Sequence, residues 1–170
     1  MTDAEFRDAF HGHKDVVHRF AYRMTGSASA AEDVVQDCFL ILWRKPAAYD
    51  PRRGAMRAFL LGIARNLILK RWRDERPHKA LEDDAFVFQP LNVREDGRVE
   101  AVEKAILMLP PLQREAVVLA EYEEMSLEEI AHATAADLAA VKSRLHRARQ
   151  NLRRMLAPIL ESKGAFHGTK

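Results

Sequence analysis

The chain has 170 residues, of which 48% are hydrophobic and 31% are charged, and its formal net charge is +2. This length allows one domain or two small ones, and the composition is that of a folded protein. A single cysteine, Cys38, excludes an internal disulfide framework. No apolar run is long enough to cross a bilayer, and the acidic N-terminus does not resemble a signal peptide, so we expect a soluble cytoplasmic protein without membrane insertion.

Helix-forming residues dominate, and few apolar residues alternate as they would in strands, which predicts an all-α fold. The charges are unevenly distributed. Residues 52–76 contain eight Lys or Arg against two acids, and residues 80–103 contain seven acids against two Arg. The chain therefore runs basic, acidic, basic, and the two basic patches suggest two contacts with one polyanion.

Residues 1–76 form the first predicted domain, which we call the first block. Apolar spacing predicts a helix that ends near Gly26, and Ser27 or Ser29 can cap a second helix that continues to about Lys45. A loop over residues 46–54 precedes a third helix over about residues 55–75. Its predicted inner row is Phe59, Leu60, Ile63 and Leu67, with Leu61 a further candidate.

The second helix has apolar residues on a face that its core does not need. Leu40 and Trp43 project away from the predicted core face, in one row with Gln36 and near Asp33. Apolar side chains on a polar face, a Trp among them, are typical of a protein contact. The alternative is a helix buried on both faces.

The third helix and the loop before it combine cations with an amide and aromatic rings. Such a surface suits a nucleic-acid backbone, and the loop could hold an extruded base. Trp72 could equally belong to the core. The polar and aromatic groups of this surface are Tyr49, Arg52, Arg53, Arg57, Arg65, Asn66, Lys70, Arg71, Trp72 and Arg73.

Residues 77–97 form an acidic linker without sustained periodicity, which supports a domain boundary. Residues 98–160 form the second predicted domain, the second block, and residues 161–170 are predicted to be a flexible tail. Within the second block, Ser126 and Glu129 have the spacing of a capping box that starts a short helix. A break around residues 134–136 leads to Asp137, a second predicted N-cap.

The helix after Asp137 is apolar on one side and basic on the other. Val141, Leu145, Ala148 and Leu152 form its apolar stripe. Two short helices of which the second is basic predict a helix-turn-helix that reads the major groove of DNA. The alternative is an ordinary helical hairpin.

Five segments, in this order, resemble the bacterial sigma factors. They are A-E-D-V-V-Q-D-x-F at residues 31–39, F-L-L-G-I-A-R-N at 59–66, L-P at 109–110, S-L-E-E-I-A at 126–131 and V-K-S-R-L-H-R-A-R at 141–149. The short chain with two helical blocks is similar to the extracytoplasmic-function (ECF) group of the sigma-70 family. The resemblance implies an alternative sigma factor that binds core RNA polymerase and directs promoter-specific initiation, with a first block like sigma region 2 and a second block like region 4.

The resemblance also implies a role for each surface. The second helix would dock on the clamp coiled coil of the largest polymerase subunit, and the linker would run through the polymerase. An anti-sigma factor is a further implied partner. The implied polymerase contacts are Asp33, Gln36, Asp37, Leu40 and Trp43. The implied contacts with the −10 element and its unpaired strand are Tyr49, Arg52, Arg53, Arg57, Asn66, Lys70, Arg71 and Arg73. The implied −35 contacts are Lys142, Ser143, Arg144, His146, Arg147 and Gln150.

Four departures from the family pattern stand out. Phe59 replaces a usual Trp, Lys70 a usual Asp and Ala140 a usual Thr. In the turn of the helix-turn-helix, Ala135 stands where the family has Gly. A left-handed Ala there would be strained by about 1–2 kcal/mol, so we expect a relaxed turn or a longer first helix.

The sequence offers no constellation for catalysis, no metal set and no cofactor loop, so we expect no enzymatic activity and no cofactor. His11 and His13 are close in sequence, but no further ligand cluster completes a metal site. Two other functions are compatible with parts of the chain. A one-component regulator would leave the first block without a role, and a decoy that binds only an anti-sigma factor would have no use for the cations.

Overall fold

The computed structural model describes residues 1–77, 91 and 97–165, with side chains through residue 161, and every regular element in these ranges is helical. The helices are α1 (Asp3–Thr25), α2 (Ala28–Arg44), α3 (Met56–Glu75), α4 (Arg98–Met108), α5 (Pro111–Val117), α6 (Leu127–Thr134) and α7 (Leu138–Ala165). A short 3-10 turn, Pro46–Ala48, follows α2, and a π-helical turn, Val118–Tyr122, continues α5. The all-α prediction is confirmed.

Local signals in the sequence set the helix ends of the first block. Ser27 caps α2 by accepting a hydrogen bond from the Ala30 N–H at 3.2 Å. Gly26 ends α1 in a left-handed conformation (φ 68°), and a Cβ there would lie 2.9 Å from the Leu107 side chain of α4. Glycine is therefore suited to this position for two reasons: it adopts the left-handed backbone conformation without strain, and it leaves room for the close approach of α4. Thr2 and Glu5 form a capping box that we did not predict.

The buried apolar side chains of both blocks form one continuous core. Phe20, Met24, Leu42 and Leu60 are its large members in the first block, and Leu119, Ile130 and Met155 in the second. Cys38 lies inside it, donates its Sγ–H to the Leu60 carbonyl at 3.5 Å, and has its pKa raised by burial to about 12. A thiol so protonated and covered is unreactive.

The predicted inner row of α3 was only partly right. Leu60 is fully buried, but Phe59, Ile63 and Leu67 are half-buried. The core face instead consists of Leu60, Leu61, Ala64, Ile68 and Leu69. The reason is that α3 packs on two sides, against α1 and α2 within its own block and against α6 of the second block.

The helix ends can be compared with the predicted domain boundaries only where the structure describes the chain. α3 ends at Glu75, next to the boundary at residue 76. Residues 78–90 and 92–96 of the predicted linker lie outside the described residues, but the N–H of Leu91 donates to the Met155 carbonyl at 3.4 Å. α7 continues to Ala165, past the predicted start of the tail at residue 161, with Pro158 inside it. Residues 166–170 are also outside the described ranges.

Candidate functional site

The outward face of α7 carries the predicted −35 residues. Asp137 caps this helix as predicted, accepting from the Ala140 N–H at 2.7 Å. Val141, Leu145 and Ala148 are buried, which directs the opposite side of the helix away from the core. Along that side and its flanks lie Lys142, Ser143, Arg144, His146, Arg147 and Gln150; Ser143 and Arg144 are half-buried and the other four are exposed. Arg147 Nη2 donates to Ser143 Oγ at 2.7 Å, one helical turn back.

The turn before α7 corrects our expectation of a relaxed turn or a longer α6. Ala135 adopts the left-handed conformation (φ 51°, ψ 36°) that the family's glycine would adopt, and α6 ends at Thr134. The Ala135 N–H donates to the His132 carbonyl at 3.4 Å, and the Ala136 N–H donates to the Ala131 carbonyl at 3.1 Å. These bonds satisfy carbonyls at the end of α6, and they hold the strained residue in place.

The helix before the turn starts as the sequence predicts. Ser126 Oγ accepts from the Glu129 N–H at 3.1 Å, and Glu129 Oε2 accepts from the Ser126 N–H at 2.8 Å. With Ile130 and Thr134 buried, α6 lies across the inner side of α7. The second block therefore contains two capped helices joined by a tight turn, which is the geometry of a helix-turn-helix.

The predicted −10 residues lie on the loop after α2 and along α3. Arg52, Arg53, Asn66, Lys70 and Arg73 are exposed, and Tyr49, Arg57 and Arg71 are half-buried. The Tyr49 ring lies 5.4 Å from the ring of Phe59. Tyr49, Arg53 and Asn66 line a cleft of about 480 Å³, whose opposite wall is α6 with Glu128, Glu129 and His132.

Two of these arginines already have acidic partners. Arg71 Nη2 donates to Asp33 Oδ2 at 3.0 Å, so a predicted DNA residue pairs with a predicted polymerase residue inside the first block. Arg57 donates to the carbonyl and the carboxylate of Glu123 in the second block, at 2.8 and 2.5 Å. Neither pairing could be read from the spacing of the sequence.

The predicted polymerase face is exposed on α2. Leu40 is 41% exposed and Trp43 is 48% exposed, and both figures are high for large apolar side chains of a packed helix. Phe6 of α1 supports this face, because its ring meets that of Trp43 edge-on at 4.9 Å. Asp33, Gln36 and Asp37 are exposed on the same helix.

The structure also reveals contacts between the blocks that the sequence did not indicate. Arg65 of α3 pairs with Glu115 of α5 through two hydrogen bonds, of 2.7 and 3.0 Å. Burial raises the pKa of Glu115, and the hydrogen bond and charge of Arg65 oppose that rise. Arg114 of α5 donates to the Met24 carbonyl at the end of α1 at 2.6 Å and lies over the ring of Trp72. Trp72 is therefore covered by a cation of the second block.

Neither a metal cluster nor a membrane span was found in the described ranges. No group of three or more His, Cys, Asp or Glu side chains there could hold a metal ion. Nor is any described helix long and apolar enough to cross a membrane.

Comparison with known proteins identifies the family. The model for Sigma-70 region 2 matches residues 9–78, and the model for Sigma-70, region 4 matches residues 99–152. The chain is 30% identical over 169 residues to the ECF RNA polymerase sigma factor SigW of Bacillus subtilis, covering 91% of this chain and 90% of SigW. The chain belongs to the ECF sigma factors. It is an alternative sigma factor, a class of transcription initiation factor that is in general not enzymatic.

Other relatives support this assignment. The sigma factor is 38% identical over 153 residues to the ECF sigma factor SigE of Mycolicibacterium smegmatis. The matched segment covers 85% of this chain but only 59% of SigE. Its fold matches RpoE of Bartonella quintana, solved in complex with the anti-sigma factor NepR (TM-score 0.69, 25% identity, 90% of this chain and 97% of that one). It also matches CnrH, solved with the cytosolic domain of CnrY (TM-score 0.68, 25% identity, 92% of this chain and 90% of that one).

Proposed function

We propose that this sigma factor binds core RNA polymerase through α2, reads the −10 element with its first block and reads the −35 element with α7. The observation that carries the proposal is the outward basic face of α7, which directly follows a capped α6 and a tight turn. A helix fixed on its apolar side presents its polar side to a major groove in the same way. The exposed Leu40–Trp43 pair then supplies the contact with polymerase.

On α7, the side chains divide into positioning and reading groups. Lys142 and Arg144 lie on the flanks and suit phosphate contacts, which fix the helix on the duplex but carry no sequence information. Ser143, His146, Arg147 and Gln150 can reach base edges, and Arg147 suits a guanine in the major groove.

In the first block, the loop and α3 would hold the unpaired strand. Tyr49 offers a ring on which a base can stack, and Arg52, Arg53, Lys70 and Arg73 are exposed cations that can track phosphates. Asn66 lies between them and can read a base edge, and Arg57 and Arg71 complete the set once their acidic partners are displaced. A mixed surface of this kind binds a strand after it has left the duplex.

The partners follow from this division. The clamp coiled coil of the largest polymerase subunit would receive Asp33, Gln36, Asp37, Leu40 and Trp43. We also propose an anti-sigma factor as a partner. Two solved structures of similar fold are complexes, one of RpoE with the anti-sigma factor NepR and one of CnrH with the cytosolic domain of CnrY. The protein would act in the cytoplasm with polymerase, which would carry out the chemistry while this subunit supplies none.

Run-off transcription with purified core polymerase tests the proposal. The template is the DNA upstream of the protein's own coding region, and the control reactions contain core polymerase alone or the double variant Leu40→Ala, Trp43→Ala. We expect a discrete transcript only when core polymerase and the wild-type chain are both present. A chain that binds the DNA but yields no transcript with polymerase would overturn the proposal in favour of a one-component regulator. A chain that binds neither would favour a decoy.

A further inference from the structure

A run of edge-on aromatic contacts joins α1 to the exposed end of α2 in this sigma factor. The ring of Phe6 meets that of Trp43 with centroids 4.9 Å apart and an interplanar angle of 68°, and it meets the ring of Phe39 at 6.3 Å and 85°. Such edge-to-face pairs are attractive beyond the apolar area that they bury. Phe39 is 3% exposed and belongs to the core, whereas Trp43 is 48% exposed. Phe6 therefore connects the buried core to the exposed indole.

Trp43 needs such a support because of its place in the helix. It is the penultimate residue of α2, which ends at Arg44. Helical side chains lie over the preceding turn, so α2 itself supports the indole on its N-terminal side only. A half-exposed Trp has several rotamers, and fixing one of them on binding costs conformational entropy. A neighbour that fixes the rotamer beforehand reduces this cost.

The start of α1 fixes Phe6 in turn. Thr2 and Glu5 form the capping box of this helix: the Glu5 N–H donates to Thr2 Oγ1 at 3.2 Å, and the Thr2 N–H donates to Glu5 Oε2 at 2.6 Å. The Phe6 N–H donates to the Thr2 carbonyl at 3.0 Å. These bonds satisfy backbone groups that the first turn of a helix otherwise leaves unpaired. The turn that carries Phe6 is therefore well defined.

The family pattern assigns no role to this turn. The model for Sigma-70 region 2 matches the chain from residue 9 onwards, and Phe6 with its cap precedes that match. Its position follows from packing, because α1 packs along α2 and brings its own first turn beside the last turn of α2. The exposed Leu40–Trp43 pair therefore stands on two helices.

We propose that Phe6 is a positioning residue for the contact with polymerase: its ring holds Trp43 in the outward orientation in which the indole enters an apolar pocket of that partner. The first turn of α1 thereby belongs to the docking site. The inference rests on the proposed contact of Trp43 with polymerase. It adds a residue on a second helix, and that residue is itself half-buried.

The test compares Phe6→Ala with Phe10→Ala in the full chain. Phe10 lies one turn further along α1, is also half-buried, and has a ring that meets those of Phe39 at 4.9 Å and His11 at 5.6 Å. Both variants lose a half-buried ring that contacts Phe39, but only Phe6→Ala removes the ring beside Trp43. Fluorescence titration with core polymerase measures affinity, and urea denaturation measures stability.

We expect Phe6→Ala to weaken polymerase binding roughly fivefold, as for the loss of one aromatic pair that orders a side chain, and Phe10→Ala to change it by at most about twofold. The two variants should lose similar stability. Phe6→Tyr keeps the ring and should bind like the wild type. With Trp43→Ala already present, Phe6→Ala should have no further effect, because the side chain that it orients is gone. Equal weakening by the two Phe variants, or an undiminished effect without Trp43, would overturn the inference.

Fluorine NMR of the chain labelled with fluorotryptophan gives a readout that a general loss of stability does not move. The sequence contains two Trp, at positions 43 and 72, so each gives one resonance, and Trp72→Phe assigns them. Phe6→Ala should shift the Trp43 resonance and leave that of Trp72 in place. An unmoved Trp43 resonance would contradict the positioning role.

Two further variants complete the test. If Leu40→Ala with Trp43→Ala binds polymerase as tightly as the wild type, the proposed polymerase face is wrong and the inference falls with it. If that double variant is weakened while Phe6→Ala is not, only the role of Phe6 is refuted. Should Phe6→Ala not fold, Phe6→Leu keeps the apolar volume without the ring, and it should show the same loss of affinity and the same shift of the Trp43 resonance; wild-type values for both would refute the inference.

Discussion

The two proposed DNA surfaces of this sigma factor are in opposite states. The basic face of α7 points away from the core, and Arg147 on it donates a hydrogen bond to Ser143, one helical turn back. The basic face of α3 turns partly towards the second block, where Glu115 and Glu123 hold Arg65 and Arg57. The difference shows that basic residues of similar appearance in the sequence can be part of an open surface or of an internal interface.

The largest expected effect is on stability and concerns the covered face. Arg65→Ala leaves the buried Glu115 carboxylate without its bidentate partner, which should reduce the free energy of unfolding by about 3–5 kcal/mol. Arg149→Ala is the control, because it breaks an exposed pair with Glu121 and should cost at most about 1 kcal/mol. Urea denaturation measures both. Equal losses would mean that the Arg65–Glu115 pair is no more important than a surface pair.

The second effect concerns the polymerase face, which is exposed while the blocks are together. Leu40→Ala with Trp43→Ala should weaken binding to core polymerase by about 2 kcal/mol, roughly 30-fold, because an exposed Trp and its apolar neighbour are typical binding anchors. Val99→Ala with Leu160→Ala removes exposed apolar side chains of the second block and serves as the control. Co-purification and fluorescence titration are the measurements, with helicity checked by circular dichroism. Unweakened binding of the first variant would place the polymerase contact elsewhere.

The third effect concerns the open face. Arg147→Ala should reduce affinity for duplex DNA that carries the −35 element by about 1–3 kcal/mol, the usual cost of losing a base contact. Its effect on unfolding should stay within about 0.5 kcal/mol, because the side chain is exposed. Arg153→Ala, also exposed on α7 but outside the predicted set, is the control. If the two variants bind and footprint alike, Arg147 does not read the promoter.

The smallest effect concerns the turn that orients the open face. Ala135→Gly should raise the free energy of unfolding by about 1 kcal/mol, because Ala135 is left-handed and glycine adopts that conformation without strain. Ala139→Gly, an exposed position in the first turns of α7, should lower it by about 0.5–1 kcal/mol through the ordinary glycine penalty in a helix. Thermal and urea unfolding compare the two. A loss of stability at both positions would show that Ala135 is not strained.

The elements predicted correctly from the sequence depend on local interactions. Ser126 and Glu129 cap α6 across three residues, and Asp137 caps α7 in the same way. Such contacts form wherever the residues stand at the right spacing, so the sequence alone indicates them. The outward position of Leu40 and Trp43 was predictable for a similar reason, since helical periodicity assigns each residue to a face.

The features that were missed depend on distant parts of the chain. Glu123 stands in a run of acids that looks solvated, and its main partner is Arg57, 66 residues earlier. Glu115 likewise meets Arg65 across 50 residues. The conformation of Ala135 was predicted incorrectly because intrinsic preference disfavours it, and the packing of α6 and α7 overrides that preference. The half-buried side of α3 was missed because α3 packs on two sides, and a second contact surface does not follow from the periodicity of one helix.

Energy transfer between dyes on the two blocks tests most directly whether the second block covers α3 in the free chain and leaves it when the protein binds polymerase and promoter DNA. Cysteines at the exposed positions Arg19 and Arg153 can carry the dyes, because the native Cys38 is buried and its thiol stays protonated. The account predicts high transfer efficiency in the free chain and a clear decrease when core polymerase and promoter DNA bind. Low efficiency in the free chain, or unchanged efficiency in an actively transcribing complex, would contradict it.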